Sequence, residues 1–149
     1  MRRIRTLVAT GLMLVISAMG AAAQTPPPDA MPLKAVLEKL NEQRFDVRGI
    51  SYQAPWWVVV LRTPRGGAMT AGFDAVTGEM RDDFPVERLP APIPGDVKTA
   101  LEVVQKLSGP EENRITAVRY LNGDYHVDLA NGGSARTIIL DARTGLPRP

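Results

Sequence analysis

The chain writes one small turn twice. Residues 74–78 read DAVTG and residues 141–145 read DARTG, 67 positions apart. The likeness extends well beyond the turn. Leu40 and Leu107 are 67 apart, as are Phe73 and Leu140; Trp57 and Tyr125 are 68 apart, as are Val59 and Val127. The Gly-Gly pairs at 66–67 and 132–133 are 66 apart, and small insertions in loops account for the drift. A chain with such an internal period must satisfy one local fold twice, so the elements of one copy predict those of the other.

In the first copy Leu33, Val36, Leu37 and Leu40 recur at helical spacing among Lys34, Glu38 and Lys39, as in an amphipathic helix. Residues 47–52 are short and strand-like. After Pro55, WWVVVLR is aromatic and β-branched, which favours a strand. TPRGG reads as a hairpin loop, AMTAGF as a third strand, and DAVTG as a turn into a fourth strand beginning at Glu79. In the second copy Asp96 is the expected N-cap of a helix from Val97 to Leu107, stopped by Gly109-Pro110. Strands follow at 115–120, 125–129 and 136–140, with Asn122-Gly123 as a hairpin turn. Between the copies stand Pro85, Pro90, Pro92 and Pro94, which cannot join a helix or a central strand. The expected fold class is α+β. Two tandem units, 33–82 and 96–149, each carry one helix on a small three- to four-stranded antiparallel sheet of their own. A Pro-rich linker at 83–95 joins them, and a disordered Pro-rich leader occupies 24–32.

The N-terminus predicts a cleaved signal peptide over residues 1–23. Arg2, Arg3 and Arg5 precede an apolar run from Leu7 to Met19, and Ala21-Ala22-Ala23 places cleavage between Ala23 and Gln24. The run is too short to span a bilayer, which takes about 20 apolar residues. The expected location is the periplasm or the exterior, with no membrane anchor after cleavage. With no Cys, the chain carries neither a disulfide nor a lipid attachment site, so its core must hold it together. Cleavage removes three of the 18 Lys+Arg and none of the 16 Asp+Glu, leaving a net charge of −1. A near-neutral chain without a basic run is not built for nucleic acid.

The repeated turn has a local logic. An Asp leaving a strand accepts from main-chain N–H groups two or three residues on, Thr does the same more weakly, and Gly supplies positive φ. Asp74, Thr77 and Gly78, with Asp141, Thr144 and Gly145, are therefore read as structural turn residues, and no catalytic residue is assigned. The single His126 lies in DYHVD, where alternation puts Asp124, His126 and Asp128 on one face. Same-face neighbours stand about 7 Å apart, too far to share one ion readily, so neither a metal nor a cofactor is expected. The copies differ at these positions. Trp56, Val58 and Val60 stand where the second copy has Asp124, His126 and Asp128. An apolar strip of this kind is seldom left in water. Either it packs against the connector or the second unit, or it docks a partner with Trp56 as anchor, accompanied by Val58, Val60 and Arg65 of the TPRGG loop.

The motif stretches VRYLNGDYHVDLANGGSARTIILDARTG and WWVVVLRTPRGGAMTAGFDAVTGEM, each behind an amphipathic helix, resemble the PepSY family. The first copy departs from the family pattern at AMTAGF and PWW, and the second lacks a full last strand. PepSY modules occur in propeptides of secreted metallopeptidases and as free-standing envelope proteins, and the family is proposed to inhibit or regulate peptidases. The resemblance implies a helix laid on a small antiparallel sheet, and a non-enzymatic module that binds a protein, a peptidase among the candidates. The alternative is an envelope sensory or accessory module that binds a small ligand or a membrane-protein partner.

Overall fold

The computed structural model describes residues 25–107, 109, 114–131 and 133–149. The signal-peptide segment lies outside the described residues. The first copy contributes α1 (Leu33–Glu42), β1 (Val47–Gln53), β2 (Trp56–Arg62), β3 (Ala68–Asp74) and the short β4 (Glu87–Leu89). The second contributes α2 (Ala100–Lys106), β5 (Ile115–Leu121), β6 (Asp124–Asn131) and β7 (Ser134–Asp141). The strands run in the order β4-β3-β2-β1-β5-β6-β7 within one seven-stranded antiparallel sheet.

This corrects the expectation of two units, each with its own small sheet. The first strands of the two copies pair with each other, Ile50 opposite Val118 and Ser51 opposite Ala117. The physical reason is the edge. A helix–strand–strand–strand unit leaves its first strand with an unpaired row of main-chain groups, and joining two such edges removes both. It also merges two cores that would each be undersized alone. Because equivalent strands meet antiparallel, the halves are related by an approximate two-fold axis through the β1–β5 seam. Even the irregularities repeat: the β1–β2 ladder shifts between Val47 and Gly49, and the β5–β6 ladder between Ile115 and Ala117.

Both helices lie on one face, touching each other and β1. They bury Leu33, Val36, Leu37 and Leu40 from α1, and Ala100, Val103 and Val104 from α2, against Ile50, Trp57, Val59, Val118, Tyr125 and Val127. Each helix is pinned at its start in the same way. Met31 N donates to Ala75 O (2.6 Å), and the Trp57 indole N–H donates to Met31 O (3.1 Å). Lys98 N donates to Ala142 O (2.8 Å), and the Tyr125 hydroxyl donates to Lys98 O (2.6 Å). The leader is therefore not disordered throughout: its end is held by these bonds and by a turn from Ala30 N to Pro27 O. The N-cap of α2 is Thr99, in a capping box with Glu102, rather than Asp96, which instead meets Arg143 at 2.6 Å.

The connector is also partly structured. Glu87–Leu89 forms an edge strand on β3, with Thr70 opposite Glu87 and Ala68 opposite Leu89. Proline is compatible with this place because Pro85 and Pro90 flank the three paired residues. The strand expected from Glu79 reduces to one bridge, Phe73 with Met80, repeated as Leu140 with Pro147.

Candidate functional site

The face of the sheet away from the helices carries the strip singled out in the sequence. The register places Trp56, Val58 and Val60 opposite Asp74, Gly72 and Thr70. Trp56 is half-buried. The Phe84 ring meets it edge-on at 6.0 Å, and the Arg81 guanidinium lies 5.1 Å from its ring centre. Phe84 rests directly on Gly72, where any added Cβ would collide with the ring. Val58 is buried at 8 % exposure. Residues 81–84 thus fold back as a hook over this part of the strip. Val60 is left at the margin of a cleft, and Arg65 is exposed in the loop at the end of β2, beside a shallow depression shared with Pro64 and Arg88.

On the second half the corresponding residues do not converge. Asp128, 7 % exposed, accepts from the Arg119 guanidinium (2.9 Å) and the Thr137 hydroxyl (2.8 Å). Asp124 accepts from Arg148 Nε at 2.7 Å. His126 is half-buried between Arg119 and Ile139 in the register.

The two DAxTG turns match bond for bond. Asp74 Oδ1 accepts from Val76 N (2.8 Å) and Thr77 N (3.0 Å), and Thr77 Oγ1 from Glu79 N (3.2 Å). Asp141 Oδ1 accepts from Arg143 N and Thr144 N (2.9 Å each), and Thr144 Oγ1 from Leu146 N (3.2 Å). Gly78 and Gly145 have φ of 72° and 75°. The main-chain donors hold both carboxyls below the usual value of 3.8, Thr77 contributing most to Asp74 and Thr144 most to Asp141. An Arg seven residues on closes each turn: Arg81 lies 3.4 Å from Asp74 and Arg148 2.9 Å from Asp141. That partner was legible as DAVTGEMR and DARTGLPR, a longer repeat than the turn alone.

The cleft was not legible. It opens where the connector crosses the seam, with a volume of about 410 Å3. Val60, Leu89 to Pro94, Tyr120, Leu121 and Asn122 line it, together with Arg48. The Arg48 side chain is buried and committed: Nε and Nη2 donate to the two Asp46 carboxylate oxygens (2.6 and 3.2 Å), and Nη1 donates to Val97 O (2.7 Å). The walls are therefore mainly apolar and the one cation is neutralised. The site offers burial for an apolar group and no reacting constellation.

No family model matches the chain, and no curated protein matches it. Among solved structures the chain is similar to a "putative lipoprotein" of Clostridium difficile 630, at 13% identity and a TM-score of 0.41, over 86% of this chain and 95% of that one. No helix among the described residues is long and apolar enough to cross a membrane.

Proposed function

We propose that this is a protein-binding protein of the periplasm or cell exterior, released by signal cleavage after Ala23, that takes an apolar side chain of its partner into the seam cleft. The observation that supports this reading is the cleft itself. It is the place where the strip of Trp56, Val58 and Val60 escapes the Arg81–Phe84 hook, and Leu121, 45 % exposed, stands at its rim. Interfaces commonly draw their energy from one apolar anchor in such a pocket, with polar groups around it. Arg65 lies in the β2–β3 loop beside the separate depression it shares with Pro64 and Arg88, and so is not part of this anchor site. The partner class is a peptidase, which the likeness of the two motif stretches to PepSY modules names. The test is capture from an envelope extract by the chain from Gln24 onward. Leu121→Ser should lose the captured protein while its melting curve is unchanged, and Trp56→Ala should retain capture. The captured protein's peptide-hydrolysing activity should fall when the purified chain is added back. Capture that survives Leu121→Ser, or a partner without peptidase activity, refutes the corresponding half of the reading.

A second reading rests on the same volume, which falls within the range of small-ligand sites. An apolar small molecule in the cleft would make this a sensory module. Native mass spectrometry of protein purified from its envelope distinguishes the two, since only this reading expects a co-purifying small molecule.

A further inference from the structure

We infer that the β7 edge takes up an extended segment of a partner protein as an eighth strand, in the place that β4 takes on β3. The two halves carry the same edge and finish it differently. In β7, Ile139 O accepts from Arg148 N (2.9 Å) and Asp141 N donates to Leu146 O (2.8 Å). By the alternation of an antiparallel ladder, the N–H and C=O of Thr137 and Ala135 then also point away from β6. In β3, Gly72 O accepts from Arg81 N, Asp74 N donates to Glu79 O, and the next outward residues, Thr70 and Ala68, are met by Glu87 and Leu89 of β4. The main chain of Thr137 and Ala135, the equivalents of Thr70 and Ala68, has no further main-chain partner among the described residues. Residues 134–137 are exposed. The chain itself thus shows what closes this edge: a short extended segment running antiparallel, with its middle residue opposite position 136.

Two of the symmetric registers open to a second copy of the chain fit poorly. A symmetric pair centred on Arg136 sets two guanidinium groups directly opposite each other, which is unfavourable. One centred on Thr137 drives each strand into the Pro147–Arg148 tail that already lies along the end of β7. A foreign segment of about three residues meets neither obstacle. Its chemistry follows from the position equivalent to Met69, which faces Arg88 in the first half. Here the residue is Arg136, a cation in place of the neutral Met69, so an acidic middle residue suits the position better than a second Arg. The edge shares no residue with the cleft, so this inference stands or falls separately from the reading above.

The probe is a synthetic peptide of residues 84–91 carrying Arg88→Glu, titrated into the isotope-labelled chain from Gln24 onward, to about 5 mM. Expected are shifts and slowed hydrogen exchange at the Ala135 and Thr137 amides, with at least threefold weaker binding of the unaltered peptide. Ala135→Pro should abolish the effect with an unchanged melting curve, because the N–H it removes points away from β6. If that variant fails to fold, Arg136→Glu serves instead and should invert the preference between the two peptides. Absence of shifts at β7, shifts that survive Ala135→Pro, or an unchanged preference in Arg136→Glu overturns the inference. So does protection of these amides that rises with protein concentration without peptide, which marks a second copy on the edge.

Discussion

At the scale of single residues, the two turn aspartates behave as one design used twice. Each accepts two main-chain N–H groups and faces an Arg seven positions later. Folding lowers both carboxyl pKa values, so their contribution is present above the unfolded value, near 3.8, and is lost as pH falls through the lower native value. Asp141→Ala should therefore melt below the wild type at pH 7, and the gap should close progressively below pH 3.8, the ordinary value of the group. A gap that persists in full at pH 2 would place the effect elsewhere than in the ionised carboxylate. The helix pins predict a second effect. Tyr125 is fully buried, its burial pushes the phenol up, and its hydroxyl serves the Lys98 carbonyl. Tyr125→Phe should cost about 1 kcal/mol in urea unfolding, the net worth of one buried bond, with m unchanged.

At the scale of elements, the Arg81–Phe84 hook replaces a strand. Gly72 lacks a side chain at the point where Phe84 lies on the sheet, and Trp56 is held between Phe84 and Arg81. Gly72→Ala should destabilise by about 1–3 kcal/mol by displacing the ring, and by much less in a Phe84→Ala background, so the two substitutions should be strongly non-additive. Trp56→Ala should cost about 2 kcal/mol by emptying the centre of the same stack. Equal costs of Gly72→Ala in both backgrounds would show that the collision is not the source. The repeat made the elements themselves readable: both helices, six of the strands and both turns follow from periodicity and turn chemistry. Neither the hook nor β4 does. Residues 81–89 have no counterpart pattern in the second copy beyond Arg148, and four prolines mask a three-residue strand that is made entirely by its neighbour β3. The cleft was hidden for the same reason, because Val60, Ile93 and Tyr120 meet only once the connector has crossed the seam.

At the scale of the whole molecule, the question is whether two copies of a fold make two folding units. The sequence period argues for two, and the sheet argues for one. The seam is short in hydrogen bonds, with Ile50 and Ser51 opposite Val118 and Ala117, yet much is buried across it. Arg48 of the first copy bonds the Val97 carbonyl at the approach to α2, the two helices touch, and Ile50 and Val118 are both at 2 % exposure or less. Gly49 also brings its main chain so close to β5 that an added Cβ would sit 3.2 Å from Val118 O. Residues 24–95 and 96–149 make halves of 72 and 54 residues, near the size at which a domain buries only about 60% of its unfolded surface. Cutting at the seam would further expose β1 or β5 as a long unpaired edge. Residues 24–95 and 96–149, produced separately, should each lack a cooperative thermal transition by circular dichroism, while the intact chain shows one whose calorimetric and van't Hoff enthalpies agree. A cooperative melt in either half alone would mean that the seam joins two finished domains and that the shared sheet is a consequence of their folding, not a condition of it.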